Sequence, residues 1–167
     1  MAKHYEMTQL KEREATLEDA WEILDAGQFA VVSTVDEDGA PYGVPISYVI
    51  MDEKMYIHTG KGPGHKFDNF VRDNRVSVTV AIDLEPLFME TFFTTRYASV
   101  IATGRITKVE DSVTARKALV ALCIKYVPDA QKEIGNAIER EWSITDVYAI
   151  DLEEIRAKAG RWKKKAH

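Results

Sequence analysis

The segment Met55-Tyr-Ile-His-Thr-Gly-Lys-Gly-Pro-Gly-His-Lys-Phe67 concentrates the residue types that can hold an anion. An apolar run ends, three glycines alternate through Gly60, Gly62 and Gly64, and a short amphipathic stretch starts with His65-Lys66. Glycines let backbone N–H groups turn toward one point, and a helix starting there adds roughly half a positive charge. Lys66 supplies a whole one. The combination suits a single phosphate, or else a surface turn carrying a solvated lysine. Neither common nucleotide loop is present. Phe67 follows Lys66 where the triphosphate loop needs Ser or Thr, and the glycines miss the Gly-x-Gly-x-x-Gly spacing.

Other chemistries find less support. His4, His58, His65 and His167 are scattered, none forms a His-x-x-x-His pair, and Cys123 is the only cysteine, so no metal site is expected. No Gly-x-Ser-x-Gly elbow presents a nucleophilic serine. A net charge of −5 without a basic stripe argues against nucleic-acid partners. The one basic run, Arg161-Trp-Lys-Lys-Lys165, reads as a solvated tail or a contact with an anion. A lone cysteine suits a reducing compartment, and no window reaches about 18 apolar residues, so a soluble, cytoplasmic protein with no membrane contact is expected.

The elements that would position the loop are mostly strands. Phe29 to Val35 is rich in β-branched residues and runs into the turn Asp36-Glu-Asp-Gly39. In the next segment Tyr42, Val44, Ile46, Tyr48 and Ile50 share one face, with Gly43, Pro45 and Ser47 on the other. Pro45 lacks a ladder donor, which places this stretch at an edge or bulge. Met55 to Thr59 follows a tight turn, giving an antiparallel meander. Val76 to Ile82 alternates again, Asp83 to Glu90 reads as a loop, and Phe92 to Thr103 is a long strand that Arg105 to Val109 either continues or pairs with after Gly104. Asp146 to Leu152 is the last strand.

Four helices complete the plan. One spans about 16–27, with Thr16 as its cap and Leu17, Ala20, Trp21 and Leu24 on one face. Another runs from His65 to Val71. A helical pair over about 112–142 starts at Asp111, with Val113, Leu119, Leu122 and Tyr126 buried, and resumes near Pro128 with Ile134, Ile138 and Trp142. Trp142 and Cys123 read as packing residues. Short turns between antiparallel strands predict one mainly β domain over 1–167, a barrel or sandwich.

Taken in order, Tyr42-Gly-Val-Pro-Ile-Ser-Tyr48, Tyr56-Ile-His-Thr59, Gly64-His-Lys66 and Asn74-Arg-Val-Ser77 resemble the flavin-binding split-barrel superfamily that includes pyridoxamine-phosphate oxidase. Thr94-Thr-Arg-Tyr-Ala-Ser-Val-Ile-Ala-Thr-Gly-Arg105 resembles its nitroimidazole-reductase branch. The resemblance covers about residues 10–152. It implies a six-stranded antiparallel split β-barrel that forms a homodimer, with one FMN in each of two interface clefts. It also implies that Val44, Pro45, Ile46 and Ser47 lie along the flavin ring, that His58 and Thr59 border it, and that His65 and Lys66 grip the phosphate. Tyr97, Ala98 and Ser99 would approach from the facing subunit.

Two departures matter. Relatives with pyridoxamine-phosphate oxidase activity carry Arg-Lys where this chain has His65-Lys66, and histidine donates fewer hydrogen bonds than arginine. Asp151-Leu-Glu-Glu-Ile-Arg156 does not reproduce their basic substrate-gripping motif, which speaks against vitamin B6 oxidation. The resemblance therefore implies an FMN-dependent reductase, transferring hydride from reduced flavin to small nitro-aromatic or quinone-like acceptors, with a reduced nicotinamide as a possible donor. His58 is then either the proton donor or a packed strand histidine. Phe92, Phe93 and Tyr97 either frame the substrate or pack. A non-catalytic flavin carrier or sensor, and a haem-handling protein, are the competing readings.

Overall fold

The structure is a computed structural model that describes residues 2–4, 6 and 10–160; the basic run at 161–165 lies outside them. The strands are β1 (Lys3–His4), β2 (Ala30–Val35), β3 (Pro41–Ile46), β4 (Tyr48–Met51), β5 (Lys54–Gly60), β6 (Arg75–Met89), β7 (Phe92–Lys108) and β8 (Thr145–Gly160). The helices are α1 (Leu17–Ala26), α2 (His65–Arg72), α3 (Ser112–Tyr126) and α4 (Ile134–Glu141), with short 3-10 turns flanking α4.

The strands form one sheet in the order β3-β2-β6-β7-β8-β5-β4, with β1 parallel on β8. β3 and β4 occupy opposite ends of that path, yet only Ser47 separates them in the chain. The sheet must therefore curl until its two ends are neighbours. What results is a barrel with an unzipped seam between β3 and β4, and every other pairing on the path is antiparallel. The expected single strand over 42–50 is thus two strands, broken where the chain crosses the seam.

Two clusters of apolar side chains stabilise it. Inside the barrel, Val32, Met55, Ile57, Val78, Val100 and Ile150 pack with Ile23 and Leu24 of α1. α1 forms because a complete capping box joins Thr16 and Asp19 and because Ala20, Ile23 and Leu24 fall on one side. Ile23 and Leu24 are fully buried, worth roughly 1.5–3 kcal/mol each. The second cluster lies outside the barrel, where Val49, Tyr56, Val147 and Ala149 meet Leu119, Leu122, Ile134 and Ile138 of α3 and α4. α3 starts at Asp111, whose carboxylate accepts from the Val113 and Thr114 N–H groups.

Several expectations are corrected. Asp83 to Glu90 is not a loop: β6 continues to Met89 after a bulge between Ile82 and Glu85. Arg96 pairs with Glu85 at 2.6 Å and Phe88 packs on Phe93 at 4.9 Å, so an arm of two strands projects beyond the barrel. Pro86 is tolerated there because each strand of the arm has one partner among the described residues. β8 runs on to Gly160 rather than ending at Leu152, pairing with β7 past a second irregularity at Thr103 and Gly104. A Cβ on Gly104 would stand 2.0 Å from the Asp151 carbonyl oxygen, so the bulge needs glycine for close approach. Val113 is 58% exposed, and Ala115 and Ala118 fill the buried face expected of it. The helix after Pro128 is broken, being a 3-10 turn until Glu133 and α helix only from Ile134.

Candidate functional site

The glycine segment links β5 to α2, whose Phe67 and Phe70 pack on the inner cluster. Lys61 N–H donates to the Ile144 carbonyl at 2.7 Å, which ties the loop's base to the start of β8. Beyond that anchor the backbone stands open: Gly62 has φ +121°, and a Cβ there or on Gly64 would meet nothing. α2 begins at His65, and its first-turn N–H groups lack intrahelical partners. Lys66, half-buried, makes no ion pair with a described residue.

α2 is seated by a residue that the sequence did not single out. Asn69 is 1% exposed and donates to Thr34 Oγ1 and to Asp36 Oδ1, both at 2.9 Å. Its own oxygen accepts from Arg72 at 2.8 Å, and Arg72 also donates to the Val35 carbonyl. Asp36 Oδ1 accepts from His65 Nε2 at 2.5 Å, and the imidazole stacks on Tyr42 with ring centroids 4.0 Å apart. The Asp36 carboxyl is held below the ordinary carboxylate range, first by the Asn69 hydrogen bond and then by that from His65. His65 is thus built into the α2 seat. Nε2 is committed to a carboxylate and only Nδ1 is left to face an anion, so Lys66 and the helix end carry most of the positive field.

β3 offers the second surface. Val44, Pro45 and Ile46 pair with β2 alone, so alternate backbone groups point into the seam. Pro45 is exposed at this edge, as its missing donor requires. Ser47 makes the crossing, which is braced from α3. The Tyr126 hydroxyl accepts from Tyr48 N–H and donates to the Tyr48 carbonyl, each at 3.0 Å. The Tyr48 hydroxyl donates to the Leu24 carbonyl, and the Lys125 ammonium lies 4.1 Å from the Tyr48 ring centroid. Burial pushes Lys125 down from the usual lysine range. No spacing rule pointed to this brace, because Tyr126 and Tyr48 are far apart in the chain.

His58 and Thr59 stand at the end of β5 and face opposite ways. Thr59 is buried on the barrel side. His58 points outward and edges a cavity of about 100 Å³ beneath α3 and α4, walled by Leu119, Leu122 and Ile138. The residue keeps a solvent-facing side, yet burial of its ring lowers its pKa, Lys66 acts in the same direction, and Glu141 opposes both. The Lys66 effect puts His58 and Lys66 in one electrostatic neighbourhood. The structure therefore brings His65, with Lys66 next to it at the start of α2, to the β3 edge through Tyr42, whereas His58 edges the cavity under α3 and α4. Ser99 is not gathered. It lies half-buried on β7 opposite Ala81 and Lys158, with β2 and β6 between it and β3.

The remaining aromatics separate by role. Phe92 and Phe93 are exposed on the arm, whereas Tyr97 packs against Gly160, where a Cβ would stand 2.6 Å from its ring. Trp142 packs on the outer cluster, with the Arg116 guanidinium 4.1 Å from its ring centroid. Burial pushes the Cys123 thiol up, as befits a packing residue. No three His, Cys, Asp or Glu side chains converge on a metal-sized site among the described residues. No helix among them is long and apolar enough to cross a membrane.

The arrangement can hold a phosphorylated planar ligand: a cation and a helix start for the phosphate, a free strand edge for ring hydrogen bonds, and a titratable histidine nearby. No curated protein matches the sequence. Solved structures share the fold at low identity. A flavocytochrome from Azotobacter vinelandii has TM-score 0.78 at 19% identity, over 96% of this chain and 75% of its own. An FAD and heme binding protein from Mycobacterium smegmatis has TM-score 0.77 at 20% identity, over 92% and 77%. A proposed 5-nitroimidazole antibiotic resistance protein from Bacteroides thetaiotaomicron has TM-score 0.70 at 20% identity, over 86% and 83%. The sequence pattern of the pyridoxamine 5'-phosphate oxidase family matches residues 16–159, so the barrel, its seam and the loop ahead of Lys66 all fall within the match, and the chain belongs to that family.

Proposed function

We propose that the chain is an FMN-binding oxidoreductase that reduces small nitro-aromatic or quinone-like acceptors. The observation that carries the reading is Lys66, a cation beside a glycine loop at a helix start, with no carboxylate among the described residues to neutralise it. Lys66 and the first-turn N–H groups of α2 would hold the phosphate, with Nδ1 of His65 beside them. Val44 to Ser47 would meet the ring through backbone groups, and Thr59 would border the ribityl chain. The electrons would come from the flavin when it is bound, with a reduced nicotinamide as donor. His58 holds the proton that the reduced acceptor takes up, and its outward position on β5 leaves it open to a small aromatic substrate.

The same reading calls for a homodimer. Among the described residues no helix packs on the outer face of β2, β3, β6 and β7, where Val35, Pro45, Ala81, Ser99 and Ile101 lie without charge. A second copy packed there would bring its Ser99 toward the β3 edge of the first. Three structural neighbours are FAD-binding proteins by name; FMN is preferred here because the cradle suits a terminal phosphate, and chromatography of the released flavin separates the two.

The test is a flavin titration of Lys66→Ala. A charge-assisted hydrogen bond is worth about 1.5–3 kcal/mol, so Kd for FMN should rise roughly 10- to 100-fold. Unchanged affinity in a folded variant would remove Lys66 from the site and the reading with it.

A further inference from the structure

His65 opens α2 beside Lys66, and its imidazole is held before any ligand arrives. Asp36 Oδ1 stands 2.5 Å from Nε2, and the Tyr42 ring stacks on one face with centroids 4.0 Å apart. An ionised carboxylate can only accept. The Asn69 and His65 hydrogen bonds keep Asp36 ionised at neutral pH by holding it below the ordinary carboxylate range. The proton in this bond therefore sits on Nε2. A neutral ring so fixed carries a bare lone pair at Nδ1, and a lone pair has nothing to donate to an anion. The elements around the ring bring charges of both signs. The β2–β3 turn brings Asp36, with Glu37 and Asp38 exposed after it, and β3 brings Tyr42. α2 brings Lys66, half-buried, Asp68, exposed, and Arg72, which also lowers Asp36, while the glycine loop brings Lys61, exposed. Asp36 is the one charged group hydrogen-bonded to the ring among the described residues.

We propose that Asp36 is a positioning residue that makes His65 a second phosphate-binding cation beside Lys66, so that FMN enters this site together with one proton. The proton comes from solvent. The imidazolium then donates from Nε2 to Asp36 and from Nδ1 to a phosphate oxygen, which the neutral ring could not do. Asp36 touches no ligand and acts through His65. The role rests on the proposed function, since a phosphate at the start of α2 is what calls for the second donor. It also gives the histidine a consequence that arginine would not have. A guanidinium is charged at every ordinary pH, whereas His65 ties phosphate affinity to pH, and FMN is held more tightly as the pH falls toward neutrality.

The experiment titrates the full chain with FMN by calorimetry, in buffers of different ionisation enthalpy, from about pH 7 to about pH 9, where the phosphate is largely a dianion. The wild type should take up protons on binding, to a limit of one per FMN. Its Kd should rise with pH by as much as roughly tenfold per unit, the limit for one linked proton. His65→Gln keeps a neutral donor and should bind FMN with no uptake and no pH slope. Asp36→Asn keeps an oxygen for Nε2 to meet but removes the charge, so uptake should shrink and the slope should flatten. A merely structural role for Asp36 would weaken FMN equally at every pH and leave the uptake per FMN unchanged, which would overturn the proposal. Saturable binding without proton uptake, or equal uptake in His65→Gln, would overturn it too, with FMN still bound. A folded chain that takes no FMN at all would remove the proposed function and this role together, so the two failures are distinguishable.

Discussion

Replacing Asn69 by alanine removes the two hydrogen bonds that seat α2 on Thr34 and Asp36, and a third that Asn69 accepts from Arg72 within the helix. Each such bond contributes about 0.5–1.5 kcal/mol net, and Thr34, a residue 5% exposed, loses the donor to its hydroxyl oxygen and keeps only its own donation to the Tyr42 carbonyl at 3.4 Å. The sum is a loss of about 2–3 kcal/mol, measurable as a lower urea midpoint with unchanged slope. Flavin affinity should fall as well, since the helix that presents Lys66 is no longer fixed. The pH dependence has a definite sign. The Asp36 carboxyl is depressed in the folded chain, chiefly by Asn69, so its contribution is present above the ordinary aspartate range and is lost as pH falls through the folded value. The gap between wild type and Asn69→Ala should therefore narrow in acid. Asn69→Asp should be worse at neutral pH, because it sets a second carboxylate where a donor now reaches Asp36 at 2.9 Å, and it should recover as pH falls. A loss below about 0.5 kcal/mol for Asn69→Ala, within the range of ordinary surface changes, would refute the seat.

Two further outcomes follow from close contacts elsewhere. Gly104→Ala forces a methyl against the Asp151 carbonyl, a backbone clash that should cost roughly 3 kcal/mol or more, read by denaturant unfolding; a neutral result would mean that the β7–β8 bulge can relax. Tyr126→Phe strips the hydroxyl from both backbone groups of Tyr48 and should cost about 1–2 kcal/mol while loosening the seam, so unfolding and FMN titration should both register it. Unchanged stability would show that water replaces the hydroxyl at no loss.

Local patterns were readable where one physical rule governs a short stretch. The capping box at Thr16, the N-cap at Asp111 and the edge position of Pro45 all follow from a few adjacent residues, and each stands in the structure as expected. What escaped depends on partners remote in sequence. Glu85 and Pro86 look like loop residues until Arg96 and Thr95 pair with them across the arm, past the bulge that holds Asp83. Glu153, Glu154 and Arg156 hide a strand that Leu152, Ile155 and Ala157 hold to the core. At the candidate site, the glycine loop and His65-Lys66 were legible from composition and spacing. Asn69, Asp36 and the Tyr126 brace were not, because each acts through a partner brought near only by folding. The placement of His58 outside the barrel, facing α3 and α4, likewise needed the packing of the second cluster.

The proposed function depends on Lys66 and the α2 start holding a flavin phosphate while the edge of β3 meets the ring. Titrating the full chain into FMN and following flavin fluorescence tests it most directly. The account predicts saturable quenching that ends at one flavin per chain and is displaced to higher concentration in Lys66→Ala. Fluorescence that stays flat across the titration, in a folded chain, would contradict it.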